Sequence, residues 1–515
     1  MPDAANPVLR EAFEYEFSPL DPVGGAHIDP PSNAVYETIV VKGTDMKPAP
    51  SLARSWSQSA DGLEWRFELR PGLRFHSGAA CDAPAVAAAL HRCRIRDGRT
   101  PQRHYWDPVD SVRSEGDRAI VIRSHYPTTR VMSLLWGTHT LIFNEATRDQ
   151  DDPFSYGFSV ADGTGPFRLV SLSDDRVVTE RAPTYAGSPA PFLRNGSAEV
   201  PLAGVEWLAV TSAAERLRML DRGEVDCLHA PPPADVEAVG RDPRFRVLTS
   251  KQSSNVYFAL DWARRELGFD DMRVRRAMSL AIDRAAIIAA VVAGQGRATY
   301  GPLPPESEFY RPEVDARGRH DFAEAARLLD AAGWRPGERG LRWKDGRPLS
   351  FGCLVQRDDV LEGTAREIAR QLRPLGIEIS IEAVKPFLPF YQRLRQGTES
   401  FVSKWLWEDP VDALIGFTST LGQSRINWQH ASIPRLDAAF DAWCRAGDDA
   451  GLAAAAGTVQ DVIAAELPLI PLFTPTDFWV HRAEVTGWRP VAGNLYPFYQ
   501  DVAIGQSSRG LARGE

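Results

Sequence analysis

The sequence predicts an α/β protein built from two or three lobes. Three observations carry this. The chain has 515 residues, about twice the length at which a single hydrophobic core stops growing. Short segments with strand pattern alternate with amphipathic helical segments along it, as expected of sheets covered by helices. Its 14 Trp, 23 Phe and 12 Tyr are far more aromatic surface than a disordered chain carries.

In chain order, Val8–Phe17 reads as a strand, Leu20-Asp21-Pro22 as a turn, and Asp29–Asn33 as a loop before a helical Ala34–Ile39. Glu64–Leu69 alternates with period two, a half-buried strand closed by the turn Pro71-Gly72. Asp82-Ala83-Pro84 opens a helix through Arg94, with Asp82 as N-cap and proline in the first turn. Ala119–Ile122, Phe167–Ser171 and Val177–Glu180 are strands. Ser212–Arg222 is a helix ended by Gly223, and Val225–Leu228 begins a strand. From Asp271 the apolar residues Val274, Ala277, Met278, Ala281 and Ile282 fall at helical spacing. Asp283 starts a helix to Ala293, and Phe322–Ala332 is closed by Gly333. Strands at Ser350–Val355, Ile377–Glu382, Phe401–Trp407 and Leu467–Phe473 alternate with helices at Leu361–Leu372 and Ala453–Glu466.

Lys+Arg 59 against Asp+Glu 68 leaves a net charge of −9. An acidic balance without a basic block argues against nucleic acid and against an anionic membrane surface as partners. The N-terminus MPDAANPVLREAFEYEFSPLDP has no basic region, apolar run or small-residue cleavage site. It predicts a chain that is not exported as written: cytoplasmic if Met1 is native, periplasmic or otherwise extracytoplasmic if a leader has been removed. The longest apolar stretch, Ala281–Ala293, is broken by Asp283 and Arg284, so no transmembrane segment is expected. Cys81, Cys93, Cys227, Cys353 and Cys444 form no CxxC pair and are odd in number. They read as buried free thiols, with a Cys81–Cys93 bridge left open by the spacing.

No GxSxG, HExxH or GxxxxGK[ST] pattern is present, and no two of the ten histidines lie at i, i+4. Neither a catalytic motif, a metal nor a cofactor is expected. What the sequence offers is an aromatic and acidic cluster: Trp405, Trp407, Glu408 and Asp409, followed by Pro410 and Asp412. Two indoles running into carboxylates can stack an apolar or cationic group and anchor an ammonium. The competing reading packs one indole in a core and makes the acids helix caps. Trp106, after Tyr105, and Trp136, ahead of His139, are isolated aromatic candidates.

Taken in order, the motifs resemble those of the family 5 extracytoplasmic solute-binding proteins, the peptide, dipeptide and nickel receptors of ABC importers. Lys47–Trp56, Asp61–Phe67 and Arg70–Gly78 are similar to that family's "P-x-LA-x-SW … DG-x-x-Y-x-F-x-LR-x-G-x-x-FH-x-G" signature. Gly163–Phe167 resembles "GTGPY", and Glu180-Arg181 with Tyr185 resembles "ER-x-x-x-Y". Val274–Ala277 with Ala281–Arg284 resembles "VR-x-A-x-x-x-AIDR", and Ala326–Trp334 "A-x-x-LL-x-x-AGY".

The resemblance implies a type II periplasmic-binding-protein-like fold: two α/β lobes that close on a ligand by hinge motion, plus an inserted subdomain. Carried onto this chain, lobe I takes 1–25, 165–255 and 478–515, the inserted subdomain 26–164, and lobe II 256–477. It implies that two segments hold the ligand. One is Asp29, Pro31, Ser32 and Asn33; the other is Trp405, Trp407, Glu408 and Asp409. The family's ammonium-pairing "W-x-x-D-Y-x-D-P" stretch is shortened by two residues here, and Glu408, three after Trp405, is the substitute, with Asp409 next.

The expected function is capture of a peptide or small amine-bearing, aromatic solute for an ABC permease, by a monomer. An alternative is a cytoplasmic enzyme on the same scaffold, using Glu408 or Asp409 for acid–base chemistry on an aromatic amine or amino-acid derivative.

Overall fold

The computed structural model describes residues 7–505 apart from 24–29, 44–46, 95–105, 138–139, 149–155, 158, 250–254, 306, 317, 385–386, 406–413, 415–426 and 491–496. Met1–Gln252 with Asp477–Glu515 form one unit and Ser253–Thr476 a second.

Strand β1 (Val8–Phe13) is the centre of a seven-stranded sheet in unit 1. The other strands are β6 (Phe167–Leu172), β7 (Arg176–Arg181), β8 (Gly204–Ala209), β9 (Cys227–His229), β10 (Phe245–Thr249) and β17 (Phe478–Arg482), in the order β10-β17-β9-β1-β8-β7-β6. β1 runs parallel to β8, with Phe13 opposite Ala209, and parallel to β9, with Glu11 opposite Cys227. β17 is antiparallel to β9 and β10. Helix α4 (Ala213–Arg222) connects β8 to β9; Ser212 Oγ accepts from Glu215 N at its start, and Gly223 ends it at φ 71°, a left-handed cap that suits glycine.

The same unit carries a separate antiparallel sheet of β2 (Ala53–Gln58), β3 (Glu64–Leu69), β4 (Val109–Glu115) and β5 (Ala119–Ser124), in the order β2-β3-β5-β4. Helices α2 (Ala83–Arg94) and α3 (Arg130–Trp136) share a core with it that includes Leu52, Phe67, Val86, Leu90, Ile120, Ile122 and Leu135. Asp82 Oδ1 accepts from Ala85 N at the start of α2.

Unit 2 is built on a six-stranded mixed sheet. Its strands are β11 (Asn255–Leu260), β12 (Gly296–Ala298), β13 (Ser350–Gln356), β14 (Glu378–Val384), β15 (Ser400–Trp405) and β16 (Ile470–Pro475), in the order β12-β16-β11-β15-β13-β14. β13 is parallel to both β14 and β15. Helices α5 (Met272–Ala281), α6 (Arg284–Val291), α7 (Phe322–Ala331) and α8 (Asp359–Leu372) bury Val274, Met278, Ile287, Leu329, Ile368 and Leu372 against Phe258, Phe351 and Val402 of the sheet. Asp271, Asp283, Asp321 and Asp358 each cap the helix that follows.

Arg275 and Arg284 are buried. Arg284 donates to the carbonyls of Thr299, Pro471, Ser279 and Ile282. Arg275 donates to those of Glu466 and Phe269 and lies 3.7 Å over the Trp262 ring. Burial pulls both guanidinium pKa values down to about 10, and in return each guanidinium supplies donors to backbone carbonyls shut away from water. The "VR-x-A … AIDR" signature is therefore a fastening between helices and strands.

Three expectations need correction. Asp29–Asn33 reads as a loop in the sequence, but Pro30–Val35 is a helix, α1. Two prolines fit a first turn, where their missing N–H groups need no partner and their φ is already helical. α1 stops at Val35 instead of continuing to Ile39 because the Val35 carbonyl accepts from Gly165 N at 2.9 Å. The first strand ends at Phe13 and not at Phe17, since its pairing ends there. The reading of the cysteines as buried free thiols holds: all five are free and buried, and the Cys81–Cys93 bridge that the spacing left open does not form. Among the described residues no helix is long and apolar enough to cross a membrane.

Candidate functional site

In open α/β sheets, ligands sit beyond the carboxyl ends of parallel strands. In unit 2 those ends are Gln356 of β13, Val384 of β14 and Trp405 of β15. Trp405 is the last residue of its strand and lies opposite Asn255 in the ladder. Asn255 is held from both ends of its amide: Nδ2 donates to the Pro302 carbonyl at 2.8 Å, and Thr474 Oγ1 donates to Oδ1 at 2.5 Å. Lys404 Nζ reaches Asp358 Oδ2 at 3.1 Å, tying this strand end to the start of α8. Trp407, Glu408 and Asp409 follow directly in sequence and lie outside the described residues.

In unit 1 the candidate segment is α1. Pro31 and Ser32 are buried, Asn33 is half-buried, and Asp29 lies outside the described residues. Two glycines press against the end of this helix. A Cβ at Gly163 would lie 2.1 Å from the Val35 carbonyl oxygen, and one at Gly165 would lie 2.5 Å from that of Ala34. No side chain fits there. His76 holds the glycine turn from the other side, with N donating to Gly163 O at 2.8 Å and Nε2 2.9 Å from Gly165 O. Burial lowers the His76 pKa. Asp162 completes the knot, accepting from Ser77 N and Asn144 Nδ2 at 2.9 Å each. The "HSG" and "GTGP" signatures thus form one interlocked cradle that positions α1.

The isolated aromatic candidates fall elsewhere. Trp106 packs in the core beside β4, 4% exposed. Trp136 is half-buried against the same core, with the Lys42 ammonium 5.3 Å from its ring. Neither shares an element with α1 or Trp405.

Sequence reasoning missed a buried polar cluster of unit 1, at the carboxyl ends of β1 and β9. His229, the last residue of β9, has Nδ1 2.8 Å from Glu14 Oε2 and Nε2 2.5 Å from Asp477 Oδ1. Burial alone would lower its pKa, but the two carboxylates outweigh that and hold it up at about 10. The ring is therefore an imidazolium donating from both nitrogens. It stacks near Phe13 and tilts against Trp479 at 4.6 Å. Next to it, Glu11 is fully buried in the middle of β1. Tyr499 Oη and Trp488 Nε1 both donate to its Oε2, at 2.8 and 3.3 Å, while Oε1 has no partner. Burial, partly offset by those donors, raises the Glu11 pKa to about 7. One signal was legible: period two places Glu11 on the same strand face as Leu9 and Phe13.

Two α/β units built on mixed sheets define the type II periplasmic-binding-protein fold. The solved oligopeptide-binding protein AppA of Bacillus subtilis, in complex with a nonapeptide, shares it with TM-score 0.87 at 19% identity, over 97% of this chain and 99% of that one. The model of the bacterial extracellular solute-binding proteins, family 5 Middle, matches residues 47–428, and the chain belongs to that family. Among its relatives is protein XP55 of Streptomyces lividans, 27% identical over 455 residues (84% of this chain, 78% of that protein). Another is the probable di/tripeptide-binding protein 5 of Pseudomonas aeruginosa (strain UCBPP-PA14), 27% identical over 483 residues (89% of this chain, 87% of that protein). Membership sets the solute-binding reading above that of an enzyme on the same scaffold.

Proposed function

We propose that this solute-binding protein captures a short peptide or a small amine-bearing, aromatic solute and hands it to an ABC permease. The observation that carries it is the placement of Trp405 at the carboxyl edge of parallel β13 and β15, just ahead of Glu408 and Asp409 in sequence. Indoles supply stacking surface for an apolar side chain and a carboxylate supplies a partner for an ammonium. The di/tripeptide-binding relative and the peptide-bound AppA support the peptide class. Clamping by two lobes is part of this reading, as are an extracytoplasmic location and a monomeric state. So is the division into lobe I (1–25, 165–255, 478–515), an inserted subdomain (26–164) and lobe II (256–477), which the separate four-stranded sheet of unit 1 supports.

The test is calorimetric titration of the dipeptide Ala-Phe and its N-acetyl form. Binding of the free amine in preference to the acetylated form is expected, and Glu408→Gln with Asp409→Asn should abolish that preference. Trp405→Ala and Trp407→Ala should each weaken Ala-Phe by about 1–3 kcal/mol. Equal affinity for both forms in the wild type would remove the ammonium anchor.

A further inference from the structure

The chain passes from unit 2 back to unit 1 between Thr476 and Asp477. On the unit 2 side it is held up to the last residue. Thr476 N donates to Gln295 O at 3.0 Å, Pro475 pairs with Gly296, and Thr474 is bonded to Asn255. On the unit 1 side it is held from the first residue. Both Asp477 oxygens are engaged, Oδ1 by His229 Nε2 at 2.5 Å and Oδ2 by Trp479 Nε1 at 2.9 Å. The next carbonyl, Phe478 O, accepts from Ala230 N at 3.0 Å.

His229 is itself anchored. Glu14 binds its other nitrogen, and the buried Arg216 of α4 donates through Nε to the His229 carbonyl at 3.0 Å and through Nη1 to the Val210 carbonyl at 2.6 Å. Arg216 also donates to Ala230 O, and Ala230 sits at φ 51°, a backbone conformation that alanine adopts only when its surroundings impose it. The charged and titratable groups that act on His229 are Glu14 after β1, Glu11 within β1, Arg216 of α4 and Asp477 just before β17.

We propose that His229 is a positioning residue that pins the returning chain to unit 1 through Asp477, so that flexing on this crossover is confined to the link between Thr476 and Asp477. A solute-binding protein that clamps by lobe motion needs such a boundary: a hinge works as a few torsions between rigid parts. The ion-paired histidine, held by Arg216 and Glu14, makes the unit 1 side rigid up to the residue where unit 2 ends.

The proposal rests on the two-lobe clamp reading, and the test separates the two. The five native cysteines are buried, so spin labels go selectively to Arg241→Cys in unit 1 and Arg366→Cys in unit 2, whose side chains are exposed. Inter-label distances are recorded by double electron–electron resonance with and without Ala-Phe, in the otherwise native chain and with Asp477→Asn or His229→Gln added. Hydrogen exchange at the Ala230 amide is read in the same proteins. The pin predicts that both variants add distances absent from the parent and speed Ala230 exchange about ten- to hundredfold, as for loss of one charge-assisted hydrogen bond. Asp477→Asn keeps an oxygen for Trp479 Nε1 and carries the test should His229→Gln not fold. A parent that samples two distances alongside folded variants with the same distances and the same exchange overturns the pin alone. A parent with one fixed distance throughout overturns the clamp reading, and the pin with it.

Discussion

Replacing Glu11 by glutamine should make the protein more heat-stable at neutral pH, by an amount that grows with pH over a defined window. The Glu11 carboxyl has its pKa raised by burial from 4.5 to about 7. Below 4.5 it is protonated in both the folded and the unfolded chain and contributes no pH dependence. Between 4.5 and 7 the unfolded chain releases the proton while the folded chain keeps it, so stability falls as pH rises. A rise from 4.5 to about 7 is worth about 3 kcal/mol, at about 1.36 kcal/mol for each pH unit. The glutamine side chain resembles the protonated acid. Its amide oxygen can accept from Tyr499 Oη and Trp488 Nε1 as Glu11 Oε2 does, and it does not titrate. Differential scanning calorimetry between pH 4.5 and 8 should show the gap between variant and wild-type Tm widening by about 6 °C, at about 2 °C per kcal/mol for a unit of this size. His229, with its pKa at about 10, stays charged throughout in the fold, and its own contribution is the same in both proteins and cancels from the gap. A gap that is constant with pH would refute the reasoning, since it would mean that Glu11 is ionised in the fold.

Above that window the sign belongs to His229. Its stabilising contribution is complete below about 6.5 and is lost as pH rises through about 10, so wild-type Tm should fall more steeply from pH 7 to 10 than that of His229→Gln. Arg284→Met leaves the carbonyls of Thr299, Pro471, Ser279 and Ile282 without this donor and should cost about 3 kcal/mol or more by urea denaturation. Gly163→Ala pushes a methyl group into the Val35 carbonyl, should destabilise by about 1–3 kcal/mol, and should weaken Ala-Phe binding by displacing α1. Gly72→Ala, where a Cβ meets nothing within 4 Å, should leave that affinity unchanged and cost only the strain of φ 75°, about 1–2 kcal/mol.

The elements that were legible in the sequence are those whose chemistry is local. Asp82, Ser212, Asp271 and Asp283 each bond an amide within three residues, so a cap can be read from a short window. The period-two alternation of Glu64–Leu69 is local in the same sense. The His229 cluster is not: its partners lie 215 and 248 positions away in sequence. Arg275 and Arg284 read as charges on helical segments, yet their guanidinium groups turn inward to carbonyls up to 191 and 187 residues away. Pro30-Pro31 read as a loop because the turn signal and the first-turn helix signal use the same residue, and the tertiary bond from Gly165 decides where the helix ends.

The signature motifs that made the family recognisable are structural wherever their contacts are described. Gly163 and Gly165 answer to a backbone pressed against them, His76 to the glycine turn, and Arg275 and Arg284 to buried carbonyls. These demands come from the scaffold and would be the same for any solute, which is how one fold can serve different ligands. Specificity then has to be sought where the chain leaves the family's pattern. On the reading proposed above, that is the strand end at Trp405 and the acidic residues Glu408 and Asp409 after it, where the family resemblance implies a stretch shortened by two residues with Glu408 as the substitute for its aspartate. On that reading, the extra methylene of a glutamate would let its carboxylate meet the same ammonium from a different backbone position. On that reading, the residues that identify the fold and those that choose the ligand are separate sets.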